Sequence, residues 1–267
     1  MDSIGVKPLN IYQGLKNVKF SNETDKISGL ESVISNNFYT VMLNFVKDNT
    51  ILIPKNRFFC TTGIKNIYDE DITGIKGIPD AILLEYFPDN QDIMLKVHMI
   101  EYECNNTRNQ RVTERLNHLG AHIVPQIIRF ALAFTITTDY KIRNANIKSW
   151  TNKIIDYISS DEELVSKVTR WIQNLQPETK ITNIISNFEK ELEKAFIFNL
   201  GVTLVTDEIT VEEKKIIESV LNSFKMDNSG VKGSDNVIKL GCYAVKLGKT
   251  LNLTTNEETY ETILEEI

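Results

Sequence analysis

Asp80 follows Pro79 at the head of the apolar run AILLEY (81–86), and Glu101 and Glu103 close the next apolar run, IMLKVHMIEYE (93–103). If both runs are strands, these acids share a place. Side chains in a strand alternate between faces, so Glu101 and Glu103 project on the same side as Val97 and Met99, while Asp80 begins the partner strand. Pairing of the strands then gathers three carboxylates, which repel one another unless protons or a divalent cation neutralise them. Two or three carboxylate oxygens, with the remaining positions left to water and substrate phosphate, suit Mg²⁺ in phosphodiester hydrolysis, where the metal activates a water and stabilises charge on the leaving oxygen. The competing reading is an edge hairpin whose acids face solvent.

The elements around the acids follow from periodicity. Pro and Asn/Asp in FPDNQD, between the two apolar runs, mark a turn and hence a hairpin. Upstream, 30–48 carries Val33, Ile34, Phe38, Val41, Met42 and Phe45 at helical spacing and predicts an amphipathic helix. Residues 51–60 look β-like, and 67–79 reads as a polar, turn-rich loop. After the acids, Val112, Leu116 and Leu119 predict a helix that Gly120 stops. PQIIRFALAF (125–134) suits either a helix, with Pro125 in its first turn, or a strand. IKSWTNKIIDYI, ELVSKVTRWIQNL and ITNIISNFEKELEKAF, between about 146 and 200, predict three amphipathic helices. VTLVT (202–206) reads as a strand, Thr210 and Glu213 as a capping box ahead of a helix over 211–224, and VIKLGCYAVKLGK (237–249) as either element. The predicted class is α/β: a mixed β-sheet core flanked by helices over 1–145, a helical subdomain over 146–200, and a mixed α/β part over 201–267 packing on the core.

Composition bounds the function. With 267 residues, 42% hydrophobic and 25% charged, the chain suits one large globular domain or a core with a smaller unit. No apolar window is long enough for a membrane span, and MDSIGVKPLN lacks a signal peptide's basic start and apolar middle; the expectation is a cytoplasmic protein with no membrane partner. Cys60, Cys104 and Cys242 are too scattered for a disulfide framework or a paired zinc site and read as reduced thiols. The formal net charge of −6 argues against indiscriminate coating of nucleic acid. Its distribution is uneven: residues 104–153 hold eight Lys+Arg against two Asp+Glu, directly after the acidic motif. Such a block is either a solvated helix face or a phosphate contact.

GIPDAILLEY followed by Glu101-Tyr102-Glu103 resembles the PD-(D/E)XK nucleases, a superfamily that includes many type II restriction endonucleases. The resemblance spans roughly residues 30–135. It implies a restriction-endonuclease-like fold, double-stranded DNA as substrate, Mg²⁺ as cofactor with Mn²⁺ as a substitute, and Asp80 and Glu101 as metal ligands. Where the family commonly has Lys this chain has Glu103, as a minority of restriction enzymes do, which implies a base or a further ligand there. An acid on a helix before the core strands corresponds to Glu31. Arg108, Gln110 and Arg111 open the helix after the motif, where such folds meet the phosphate backbone. The parts beyond the core would serve recognition or homodimerisation. The alternative is a catalytically inactive nuclease-fold protein that binds DNA or acts as a structural subunit, with Glu103 marking lost catalysis. A third reading, unrelated to nucleases, requires Asp80 and Glu101 to lie far apart.

Other marks carry less. Glu114, His118 and His122 would line one helix face as a metal site only if the helix passed Gly120, so core or interface histidines are expected. Gly248-Lys249-Thr250 lacks the strand–loop–helix frame of a phosphate loop. Trp150 and Trp171, at helical spacing, read as core rather than as base-stacking platforms.

Overall fold

The computed structural model describes residues 12–18, 20, 22–26, 29–54, 64–65, 71–72, 79–90, 92–104, 117–135, 139–226, 237–252 and 258–266. The two apolar runs form the expected antiparallel hairpin, β5 (Ala81–Tyr86) and β6 (Leu95–Glu103). Asn90 fixes its turn, the side-chain oxygen accepting from the amides of Asp92 and Ile93 while the Phe87 amide bonds back to Met94 O at 2.8 Å. β2 (Thr50–Pro54) adds antiparallel to β5, and β7 (Leu200–Thr206) lies parallel to β6 on its other side. β8 (Lys239–Asn252) is parallel to β7 and outruns it; β1 (Tyr12–Val18) pairs with its far half, and β9 (Glu258–Glu266) runs along its other edge. The result is a mixed sheet of seven strands, with the two-residue strands β3 (Ile64–Lys65) and β4 (Asp71–Ile72) paired separately. The segment 237–249, open to either reading from sequence, is therefore strand. Residues 200–206 and 239–252 supply strands to the sheet itself rather than a layer packed on it.

Helices cover both faces, as a sheet buried on both sides requires. One face bears Ile82, Leu84, Val97, Met99, Val202 and Leu204, all buried. Against the opposite face, which bears Ala81, Leu83, Ile100, Tyr102 and Val205, pack the short helices α1 (Leu30–Asn36) and α2 (Phe38–Val41). A single helix over 30–48 is not what forms. Asn37 turns its own amide back to Val33 O at 2.9 Å and leaves the helical region at φ −124°, the local side-chain competition that makes Asn a poor helix interior. Ile34, Phe38, Val41, Met42 and Phe45 are buried all the same.

The first face is covered by α3 (Val124–Phe134), α4 (Tyr140–Ser159), α5 (Glu162–Leu175), α6 (Ile184–Phe198) and α7 (Val211–Leu221). Asp139 and Asp161 cap α4 and α5, and the Thr210/Glu213 capping box opens α7. Trp150 and Trp171 are core, and Trp171 Nε1 donates to Asp48 O at 3.0 Å. Gly120 does not stop its helix. The chain passes through it as a π turn, Leu119–Ile123, and continues as α3, so 125–134 is helix and its apolar side is packing surface. Cys104 and Cys242 are buried and free, while Cys60 lies outside the described residues.

Candidate functional site

At the open end of the hairpin the strand pairing places Asp80 beside Glu101. The Asp80 amide donates to Ile100 O at 3.0 Å, continuing the ladder one residue beyond β5, and Asp80 Oδ2 accepts from the Tyr102 amide at 2.9 Å. Glu101 is 4% exposed, and its Oε2 accepts from Gln126 Nε2 at 2.7 Å. The other oxygen, Oε1, is buried and has no amide, amine or hydroxyl donor; the Glu101 and Asp80 carboxyls lie within hydrogen-bonding reach of each other. Burial, followed by the charge of Asp80, pushes the Glu101 carboxyl well above its usual range; burial also raises Asp80 to about 6, against the pull of the Tyr102 amide. Two such carboxyls can share a proton or a cation but resist ionising together.

Further acids join them. Glu31 stands in the first turn of α1, where its charge adds to the shift on Asp80, and burial raises Glu31 itself. Glu23, which no motif singled out, is raised to about 7 by burial and then by Glu103, Asp80 and Glu31. Its segment is pinned to the start of α1: Leu30, Glu31 and Gly29 amides bond to Asn22, Glu23 and Asp25 carbonyls, each at 3.0 Å. A Cβ on Gly29 would stand 2.4 Å from Asp25 O, so only glycine permits that approach. The nearest sequence signal is the turn-forming Asn22-Glu23-Thr24-Asp25 ahead of a glycine, which predicts a turn but not its neighbours.

Glu103 completes the strand and stands opposite Thr206 of β7. His118 Nε2 lies 2.7 Å from Glu103 Oε1, and the His118 ring stacks at a tilt on His122, centroids 5.0 Å apart. Burial raises Glu103, with His118 drawing it back down. The expectation that both histidines are bystanders rested on Gly120 ending the helix, and with the helix continuous His118 reaches the acid. A small cleft of about 20 Å³ beside them is lined by Glu103, His118, Leu119, Ile123, Thr206 and Glu208, among others.

The basic block is harder to place at the site. Arg108, Gln110 and Arg111, the expected DNA contacts, lie outside the described residues, as does Glu114. Within the block, Arg143 is buried with its guanidinium over the Tyr140 ring, and Lys148 pairs with Glu189 and Glu193. Arg129 and Lys141 are exposed.

Among the described residues no three His, Cys, Asp or Glu side chains converge as they stand on one metal position. The donor chemistry nonetheless fits Mg²⁺: hard carboxylate oxygens, raised in pKa by burial and then by neighbouring acids, with the buried Oε1 of Glu101 lacking an amide or hydroxyl donor. Among the described residues no helix is long and apolar enough to cross a membrane. Compared with protein-family models, characterised proteins and solved structures, the chain matches none. The chemistry of the site therefore carries the functional reading.

Proposed function

We propose that the chain is a Mg²⁺-dependent endonuclease of the PD-(D/E)XK type that hydrolyses phosphodiester bonds of double-stranded DNA in the cytoplasm, in its most specific form a type II restriction enzyme acting as a homodimer. The observation that supports it is the meeting of Asp80 and Glu101 at the hairpin end, with Glu101 Oε1 buried and without a donor. A third reading, with these acids far apart, finds no support in that pairing. The order of elements also agrees with the resemblance: a helix, a hairpin ending in acids, then a helix that returns across them.

Asp80 and Glu101 would hold the cation, with Gln126 fixing Glu101 through Oε2 while its carboxyl lies beside that of Asp80. Mg²⁺ there would lower the pKa of a bound water and offset charge on the leaving oxygen. Glu103, oriented by His118, would take the proton of the attacking water or complete the ligand set. The inactive, DNA-binding alternative draws on the lack of a preformed three-ligand position among the described residues and on Glu103 standing where the family commonly has Lys.

One assay separates the two. Purified protein with Mg²⁺ is mixed with duplex DNA of mixed sequence, and product ends are read on a gel; cleavage lost by about 10³-fold or more in Asp80→Ala is expected. Ca²⁺ should bind without supporting cleavage. Calorimetry showing the same divalent binding in wild type and Asp80→Ala would sink the metal site, and intact DNA with wild-type metal binding would favour the inactive reading.

A further inference from the structure

The two strand acids are each met by one side chain of the same helical segment: His118 at Glu103 and Gln126 at Glu101, both at 2.7 Å. Their spacing should not allow this. In an uninterrupted α-helix, residues eight apart differ in direction by about 80°. Glu101 and Glu103 are only two residues apart on one strand face, so they demand partners that point nearly the same way.

The π turn at Leu119–Ile123 lies between the two partners. A π turn inserts one residue into the helix, so eight steps cover about the rotation of seven, and the side chains come to within about 20° of each other. Gly120 sits in that turn, and a Cβ built on it meets nothing within 4 Å. An alanine side chain at that position would touch nothing. The effect of the extra residue is on register.

We propose that the π turn is a register device which sets His118 and Gln126 on the two strand carboxylates, and that His118 is a positioning residue for Glu103, holding it where the family's lysine would otherwise act. The inference rests on the reading of the acids as a cation site. Gln126 meets Glu101 at Oε2 and leaves Oε1 for the site, and His118 Nε2 meets Glu103 at Oε1. Outer partners of this kind commonly set metal affinity by orienting the ligand.

Three variants of the full chain test it, with Mn²⁺ alone as the probe in calorimetry. His118→Ala should lose about tenfold in Mn²⁺ affinity, whereas His118→Gln, whose amide nitrogen can take the place of Nε2, should recover most of it. Insertion of one alanine after Gly120 turns the two partners to about 80° apart and should match His118→Ala. Without metal, the His118 imidazole NMR signals of wild type should sense Glu103, and should shift alike in Glu103→Ala and in the insertion variant. Wild-type Mn²⁺ affinity in the insertion variant, or His118 signals unchanged from wild type in it, overturns the inference; should that variant fail to fold, unchanged affinity in His118→Ala does so. If wild type binds no Mn²⁺, the cation site itself fails, and the metal-free spectrum decides the register proposal alone.

Discussion

The hairpin of β5 and β6 holds two polar clusters built to opposite rules. In mid-sheet, His98 Nε2 meets Glu85 Oε2 at 2.8 Å and Nδ1 meets Thr203 Oγ1 at 3.3 Å, with Phe45 edge-on to the ring at 5.4 Å. Both nitrogens are used. Three residues further along β6, Glu101 is as deeply buried yet keeps one oxygen with no donor, and its neighbours are more carboxyls. A buried polar group that is fully partnered specifies structure, whereas one left short of partners has been kept for something that arrives later. The first cluster should therefore answer to stability and the second to ligand.

The largest separation comes from one substitution in each. His98→Leu keeps bulk but strands Glu85 and Thr203, so unfolding in urea should show a loss of about 1–3 kcal/mol while the response to Mg²⁺ persists. Glu101→Gln should do the reverse: metal-free stability holds or rises, because a like charge is gone, and the Mg²⁺ response disappears. Equal loss of stability in both would erase the distinction.

Acidity should separate them next. Burial lowers His98 from 6.5, against the Glu85 hydrogen bond, so the folded state binds fewer protons than the unfolded one and stability is lost as pH falls below about 6.5. The acids carry the opposite sign. Asp80 rises from 3.8 to about 6 and Glu23 from 4.5 to about 7, so the folded state holds extra protons and their contribution to stability falls as pH climbs through those windows. The two limbs overlap below about pH 6.5 and oppose each other there, so His98→Leu should leave only the fall of metal-free stability with rising pH. Mg²⁺, replacing those protons, should raise the melting temperature more at pH 8 than at pH 5.5. A shift independent of pH would mean that the cation binds elsewhere.

How much of this was legible depended on whether local sequence or distant contact decided the outcome. The hairpin, α4 to α6 and the Thr210/Glu213 box follow from alternation, helical spacing and cap chemistry, and each formed as these predict. Asp80 and Glu101 were reachable because register follows from the turn. Residues 237–249 suit either element until parallel β7 supplies a ladder, and no local pattern announces that partner. Glu23 enters through backbone bonds to α1, a tertiary fact. Asn37 and Gly120 failed in opposite directions: Asn37 broke a helix with a favourable apolar pattern, and Gly120 stayed inside one that propensity would have ended.

The smallest expected effect isolates that glycine. If Gly120 matters because the turn needs glycine's freedom, Gly120→Ala should destabilise the chain; if it matters only as an added residue, alanine should do as well or better. The second alternative follows from the structure, since the backbone there is helical and the added Cβ meets nothing within 4 Å. Alanine in a helix interior is worth about 0.5–1 kcal/mol over glycine, which for a chain of this size raises the melting temperature by about 1–4 °C. The Mg²⁺ response should be unchanged, because His118 and Gln126 keep their register. Calorimetric scans of both proteins with and without Mg²⁺ read the two quantities together. A stabilised variant with a weakened cation response would mean that the π turn relaxes once its glycine is gone, and the contrast between a closed cluster and an open one would then depend on that residue as well as on the donor missing from Glu101.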